Sequence, residues 1–223
     1  MTLPFPGDVT ATANGALLLS LAAAILYGVV RAGQPSWRRT LIKTAAVGLL
    51  AVLSFEQGGP PLLTAALALA AAGDAALSRD GDRALLAGLT AFLLGHFAYI
   101  DLFVEKSAGV GILAGEPWRA IAAVVLVAFG TFMLFRLLAA AAPGLRLPVA
   151  IYVAAIALMG LAALMAPGWG LALGAAFFIA SDALVAMERV LLPPGVSFPP
   201  WAGLAAWALY YLAQLLIALT LLT

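Results

Sequence analysis

The chain has 223 residues, of which 65% are hydrophobic and 9% are charged, and its mean hydropathy is +1.12. A soluble domain of ordinary composition has about a quarter of charged residues, so these values indicate an integral membrane protein. Because no polar segment is long enough for a separate soluble domain, we expect a single transmembrane domain over residues 1–223. The formal net charge of +1 argues against nucleic acid as a partner.

The chain has no cysteine and one histidine, His96. Disulfides, thiolate metal sites and thiol catalysis are therefore excluded, and so is a zinc site with several histidines. Metal binding by carboxylates alone stays open, but we expect neither a metal nor another cofactor. The first residues lack the basic region of a signal peptide, so the first apolar run is expected to be a retained helix.

Eight apolar runs follow one another, each near the length of about 20 residues that a membrane-spanning helix needs. Turn-forming residues separate them, for example Gly58-Gly59-Pro60-Pro61 and Pro193-Pro194-Gly195. We therefore predict an all-α fold, a polytopic membrane helix bundle with about eight transmembrane helices. The predicted spans are residues 14–32, 40–56, 60–78, 84–104, 117–139, 147–166, 169–189 and 200–222.

The basic residues predict the orientation of these spans. Only Lys106 and Arg119 fall at one set of alternate loops. The other set has eight arginines: Arg31, Arg38, Arg39, Arg79, Arg83, Arg136, Arg146 and Arg189. Because cytoplasmic loops carry the excess of Lys and Arg, this asymmetry predicts that both termini are extracytoplasmic and that the arginine-rich loops face the cytoplasm.

Six of the predicted spans carry polar side chains, most of them toward the cytoplasmic half. His96 and Tyr99 share a helix face at i,i+3, as do Tyr211 and Gln214. Ionisable groups at such depth are costly unless they face the bundle interior and pair, so we expect this set to converge on one cavity open to the inner leaflet. The set is Lys43, Asp74, His96, Tyr99, Tyr152, Asp182, Tyr211 and Gln214.

Several members of the set have an alternative interpretation. Lys43 could snorkel to the headgroups, His96 could be a hydrogen-bonded core histidine, and Gln214 could join helices. Each tyrosine could be a packing residue. Asp74 and Asp182 have no comparable structural explanation, because membrane spans rarely carry carboxylates without a function.

Five sequence blocks occur in order along the chain, namely Gly73-Asp74, Gly88 to Tyr99, Leu147 to Tyr152, Gly174 to Leu184, and Tyr210 to Ile217. Together they resemble the pattern of the YhhN-like membrane family. In this chain Lys43 is followed by Thr44 rather than by the proline associated with that family.

The resemblance implies a lysoplasmalogenase, which hydrolyses the sn-1 vinyl ether bond of a lysophospholipid to a fatty aldehyde and a glycerophospho-alcohol. Like glycoside hydrolysis, this reaction passes through an oxocarbenium-like species that paired carboxylates can serve. We therefore expect Asp74 and Asp182 to be the catalytic acid/base pair, with the order of roles open. Supporting or substrate-binding roles are expected for Lys43, His96, Tyr99, Tyr152, Tyr211 and Gln214.

The expected partners are the lysophospholipid and the lipid bilayer, and no protein partner can be inferred. The expected location is the cell membrane, as a multi-pass protein of a bacterial inner membrane. The alternative function is a proton-coupled membrane transporter of a small or lipid-like solute, because such carriers also use intramembrane Asp, Lys and His. A non-catalytic scaffold would not need carboxylates in several spans, and the lone histidine argues against a zinc-dependent lipid amidase.

Overall fold

The computed structural model describes residues 4–8, 11–192, 196 and 198–223. The chain is 83% helical, with no strand in those residues, which confirms the all-α prediction. A 3₁₀ turn (Pro143–Leu145) precedes α7, and a π-helical segment (Met187–Leu191) follows α8. The α-helices are α1 (Thr12–Val30), α2 (Trp37–Glu56), α3 (Pro61–Leu77), α4 (Asp82–Glu105), α5 (Gly111–Gly115), α6 (Pro117–Ala140), α7 (Arg146–Met165), α8 (Gly170–Ala186) and α9 (Pro200–Leu222).

Six helices in the described part of the chain are long and apolar enough to cross a membrane, namely α1, α4, α6, α7, α8 and α9. The predicted spans 40–56 and 60–78 are also helical, as α2 and α3. They are not among the six, because α3 is short, with 17 residues, and α2 carries four charged residues, Arg38, Arg39, Lys43 and Glu56. Six candidate spans indicate a multi-pass membrane protein, while the full count of eight and the outward orientation of both termini stay predictions. The short helix α5 was not predicted.

The chain divides into two compact units. The first comprises residues 1–102 and 214–223, and the second comprises residues 103–213. The first therefore contains α1, α2, α3, most of α4 and the end of α9. The second contains α5, α6, α7, α8 and the start of α9. The prediction of one transmembrane domain stays a prediction.

In the first unit, small polar side chains join α1, α2 and α3, which pack side by side. The hydroxyl of Ser20 on α1 donates to the carbonyl of Ala46 on α2 over 2.5 Å. The hydroxyls of Ser54 on α2 and Thr64 on α3 lie 2.8 Å apart. Hydrogen bonds between apolar helices replace those that water would provide, so these contacts fix the order α1–α2–α3.

Helices α3 and α4 approach closely at two glycines. A Cβ atom at Gly88 would lie 2.5 Å from Cγ of Leu77 and 3.3 Å from the carbonyl oxygen of Gly73. A Cβ atom at Gly73 would lie 2.7 Å from the ring of Phe92 and 3.3 Å from the carbonyl oxygen of Gly88. Since each glycine faces the backbone of the other, neither position has room for a side chain. Because Asp74 follows Gly73 directly, this close crossing also fixes the position of Asp74 on α3.

We predict that Gly88→Leu lowers the free energy of unfolding by about 1–3 kcal/mol, because a larger side chain forces α3 and α4 apart. The measurement is titration of the purified protein with sodium dodecyl sulfate in mixed micelles. The matched control is Gly144→Leu, since a Cβ atom there would have no neighbour within 4 Å. Equal stability of the two variants would contradict the close crossing.

In the second unit, Arg119 caps the end of α7. Its side chain is 1% exposed although it lies at the start of α6. The guanidinium donates to the carbonyls of Leu164 and Ala166 at 2.8 Å and to that of Gly168 at 2.5 Å. The last carbonyls of a helix have no partner within the helix and form its negative end. The guanidinium of Arg119 gives these carbonyls hydrogen-bond donors and places a positive charge at the negative end of α7.

Glu116 holds the guanidinium from the other side. Its carboxylate accepts hydrogen bonds from Nε of Arg119 at 3.0 Å and from the indole of Trp118 at 2.9 Å. These hydrogen bonds, that from Arg119 first, hold the pKa of Glu116 below its usual range. The Arg119 guanidinium carbon also lies 4.6 Å from the centre of the Trp118 ring, a cation–π distance.

Replacing this arginine by lysine keeps the charge but loses the planar fork that reaches several carbonyls. We therefore expect Arg119→Lys to lower the free energy of unfolding by about 1.5–3 kcal/mol, the contribution of a hydrogen bond to a charged group. The same denaturant titration measures it. Arg136→Lys, at an exposed position of α6, should change stability little, and a loss as large as that of Arg119→Lys would contradict the cap.

Candidate functional site

Lys43 and Asp74 form an ion pair between α2 and α3. Nζ of Lys43 lies 2.9 Å from Oδ1 of Asp74, and the two side chains are 14% and 1% exposed. The same Nζ lies 5.8 Å from the ring centre of Tyr27 on α1. The structure therefore favours the inward interpretation of Lys43 over snorkelling, because the ammonium group meets a buried carboxylate and an aromatic face.

His96 and Tyr99 are both buried on one face of α4, as their spacing predicted. Nδ1 of His96 lies 2.7 Å from the carbonyl of Phe92, so this nitrogen carries the proton and donates. The Tyr99 hydroxyl donates to Oε1 of Gln214 on α9, which is also buried. Gln214 thus joins two helices, as the alternative interpretation of this residue proposed.

These residues lie at a different level of α4 from the crossing beside Asp74. Gly88 faces Gly73, whereas Gly95 faces Ala66, about two turns before Gly73 on α3. His96 is eight residues beyond Gly88, a distance of about 12 Å along a helix. The expectation that His96 and Tyr99 assist the carboxylates stays a prediction.

Tyr152 and Asp182 form a second polar pair, between α7 and α8. The Tyr152 hydroxyl donates to Oδ2 of Asp182 over 3.3 Å, and both side chains are partly buried. The neighbouring Ser181 donates to the carbonyl of Ala206 on α9 at 2.9 Å. This hydrogen bond holds α8 against α9 and so sets the side of α8 that presents Asp182.

The Tyr152–Asp182 pair lies on the wall of an apolar groove between α6, α7 and α8. The groove is open on one side, and about 490 Å³ of empty space lies in it and over its opening. Among the described residues of its wall, Tyr152 and Asp182 are the only hydrogen-bonding side chains, and the others are aliphatic, aromatic, thioether or glycine. Such a groove suits a hydrocarbon chain that carries one polar or reactive group beside the carboxyl. Sequence reasoning identified the pair but not the groove.

Tyr211 lies in an aromatic cluster on α9. Its ring stacks on that of Trp207 at 6.3 Å between ring centres, and Tyr210 contacts Phe178 of α8 edge-on at 5.6 Å. These contacts agree with the packing interpretation of Tyr211, and its supporting role stays a prediction. Trp207 and Tyr210 were not predicted to be site residues. Three aromatic residues within five positions of one helix are nevertheless a signal from which the cluster could have been predicted.

Six of the eight predicted site residues thus form three side-chain pairs, Tyr211 lies in an aromatic cluster, and His96 bonds to the backbone of its own helix. Asp74 belongs to the first unit and Asp182 to the second, and the expectation of one shared cavity stays a prediction. In the described residues no group of three or more His, Asp and Glu side chains is placed to hold a metal ion.

The apolar helices and the buried polar pairs define a multi-pass helical membrane protein. The model of the YhhN family matches residues 38–221 of the 223-residue chain. The chain therefore belongs to the YhhN family, as its sequence blocks predicted. Searches of curated proteins and of solved structures gave no significant match.

We predict that Lys43→Met lowers the free energy of unfolding by about 3–5 kcal/mol, because it leaves the buried carboxylate of Asp74 without its cation. The double variant Lys43→Met/Asp74→Asn should recover much of this loss, since replacing both members of a buried ion pair is often close to neutral. Stability is again measured by denaturant titration. Lys106→Met, at an exposed position, is the control, and equal stability of Lys43→Met and the double variant would refute the pair.

Proposed function

We propose that this YhhN-family protein is a lysoplasmalogenase, an ether hydrolase that cleaves the sn-1 vinyl ether bond of a lysoplasmalogen within the membrane. The observation that carries the proposal is the Tyr152–Asp182 pair on the wall of an otherwise apolar groove. A long-chain vinyl ether requires this combination, because its hydrocarbon needs an apolar wall and its alkene needs one proton donor. Membership of the YhhN family is compatible with this activity.

The reaction requires a proton, a water molecule and no other reactant. Protonation of the alkene carbon remote from the ether oxygen gives an oxocarbenium ion. Water adds to the carbon bonded to oxygen and loses a proton, which gives a hemiacetal. The bond from the hemiacetal carbon to the glycerol oxygen then breaks as the hydroxyl loses its proton and the glycerol oxygen gains one, which gives the fatty aldehyde and the glycerophospho-alcohol.

We assign the proton transfer to Asp182, because this carboxyl borders the groove. The Tyr152 hydroxyl, which donates to Oδ2, orients the carboxyl and would stabilise the carboxylate that proton transfer leaves behind. A carboxylate beside the oxocarbenium ion also stabilises its positive charge, as in glycoside hydrolysis. Asp74 is the second carboxylate in this proposal, and its ion pair with Lys43 suits it to the base role.

The proposal implies that the substrate comes from the bilayer rather than from water. A lysophospholipid resides in the membrane with its tail among the lipid chains, and the groove lies among helices that are apolar enough to cross a membrane. We therefore propose the cell membrane as its location, and the lysophospholipid and the surrounding lipid as its partners.

The test is release of free aldehyde from a lysoplasmalogen by detergent-purified protein, with EDTA present. General acid catalysis contributes about 10²–10⁴-fold, so Asp182→Asn should lower the rate by at least the smaller factor, and Asp74→Asn should also lower it strongly. Tyr152→Phe should retain partial activity. Asp101→Asn, at an exposed position of α4, is the matched control. A folded Asp182→Asn variant with a rate close to wild type would refute the assignment.

A proton-coupled transporter of a small or lipid-like solute is the second candidate, and the Lys43–Asp74 ion pair favours it. Buried, paired ionisable groups are also the parts of a proton relay. The aldehyde assay separates the two functions. If the wild-type protein cleaves no ether lipid, the transporter becomes the better proposal, and uptake driven by a pH gradient in proteoliposomes tests it.

A further inference from the structure

Two small residues face each other in the wall of the groove, Gly130 on α6 and Ala157 on α7. A Cβ atom at Gly130 would lie 3.7 Å from Cβ of Ala157, an ordinary van der Waals distance. On α8, Ala183 follows Asp182 and also lines the groove. Three helices thus present small residues to the groove that Asp182 borders. A large side chain at any of these positions would fill it.

One end of the groove is bounded by packing around Gly160 of α7. A Cβ atom there would lie 2.7 Å from Cδ2 of Leu126 on α6 and 2.9 Å from Cδ1 of Ile179 on α8, and both of these side chains line the groove. They occupy the space that a side chain at position 160 would need. The groove thus ends about one turn beyond Ala157 on this side.

The length of the groove can be read along α6, whose lining residues run from Leu126 to Leu137. Eleven residues of α-helix span about 16 Å, which is close to half of the bilayer hydrocarbon core of about 30 Å. One lipid tail occupies a layer of that depth.

We propose that Gly130 and Ala157 are specificity-determining residues, which keep the groove open to the single hydrocarbon chain of an ether lysolipid beside Asp182. The hydrolysis of that lipid rests on the proposed function, whereas binding of the chain can be measured separately. An extended peptide segment fits less well. It would bring backbone N–H and C=O groups against a wall with only one polar pair, and buried polar groups without partners are costly.

Binding is tested with a saturated 1-O-alkyl lysophospholipid, which has the tail and the ether but no alkene to protonate. It should bind to the wild-type protein in detergent and inhibit hydrolysis competitively. Ala157→Leu and Gly130→Leu should weaken its binding about tenfold or more, the range for filling an apolar pocket. Gly130→Ala, whose Cβ has an ordinary contact distance, should fold and give a smaller effect. Ala154→Leu, on the exposed side of α7, is the matched control.

Kinetics separate a blocked groove from a damaged active site. For a long-chain alkenyl lysolipid, the two leucine variants should have a KM about tenfold higher than the wild-type protein, because they weaken binding of the chain. Both variants keep Asp182 and Tyr152, the residues assigned to proton transfer. For a short-chain, water-soluble vinyl ether, kcat should stay within about twofold, because a small substrate needs little of the groove.

The outcomes distinguish the two proposals. Groove-dependent binding of the alkyl probe without aldehyde release would support the chain-binding site and refute the hydrolase. Hydrolysis with an unchanged KM in both leucine variants would refute the specificity role and leave the hydrolase standing. No binding of the probe to the wild-type protein, or an equal loss in Ala154→Leu, would overturn the inference.

Discussion

Polar groups inside an apolar helix bundle must meet other polar groups, because the surrounding hydrocarbon offers them no hydrogen bonds. The ion pair between Lys43 and Asp74 is the strongest case in this protein. It buries two opposite charges between α2 and α3, so these helices have one favourable register and rotation. Either charge alone at its position would destabilise the fold. The packing of α1, α2 and α3 therefore depends on the contact between the two side chains.

The same constraint explains why an arginine at the start of α6 is buried. The end of α7 leaves carbonyl groups without partners, and the chain around Ala166 and Gly168 adds more. The guanidinium of Arg119 has enough donors for three of these carbonyls and for Glu116 as well. A helix end that would otherwise need water is therefore closed by a side chain from the neighbouring helix.

The constraint also explains why the proposed chemistry lies at Asp182. Apolar side chains and small residues form almost the whole wall of the groove, so the carboxyl of Asp182 stands in a hydrocarbon environment. Tyr152 holds this carboxyl by a hydrogen bond, and the hydrogen bond from Ser181 to α9 holds the helix that carries it. A water-soluble substrate would have little to contact in such a groove. A lipid tail fits it, since the described wall outside the Tyr152–Asp182 pair is apolar, as the tail is.

The sequence alone determined the helical fold, the approximate position of each long helix, the YhhN family and the ionisable residues inside the apolar runs. These properties depend on local composition, which apolar runs and turn residues express directly. Only the tertiary structure decided which polar residues pair: Lys43 with Asp74, Tyr99 with Gln214, and Tyr152 with Asp182. Helices that are apolar on all sides carry little sequence signal for the face that meets a neighbour. That choice rests on close contacts such as Gly73 against Gly88 and Leu126 against Gly160, which exist only once the helices have packed.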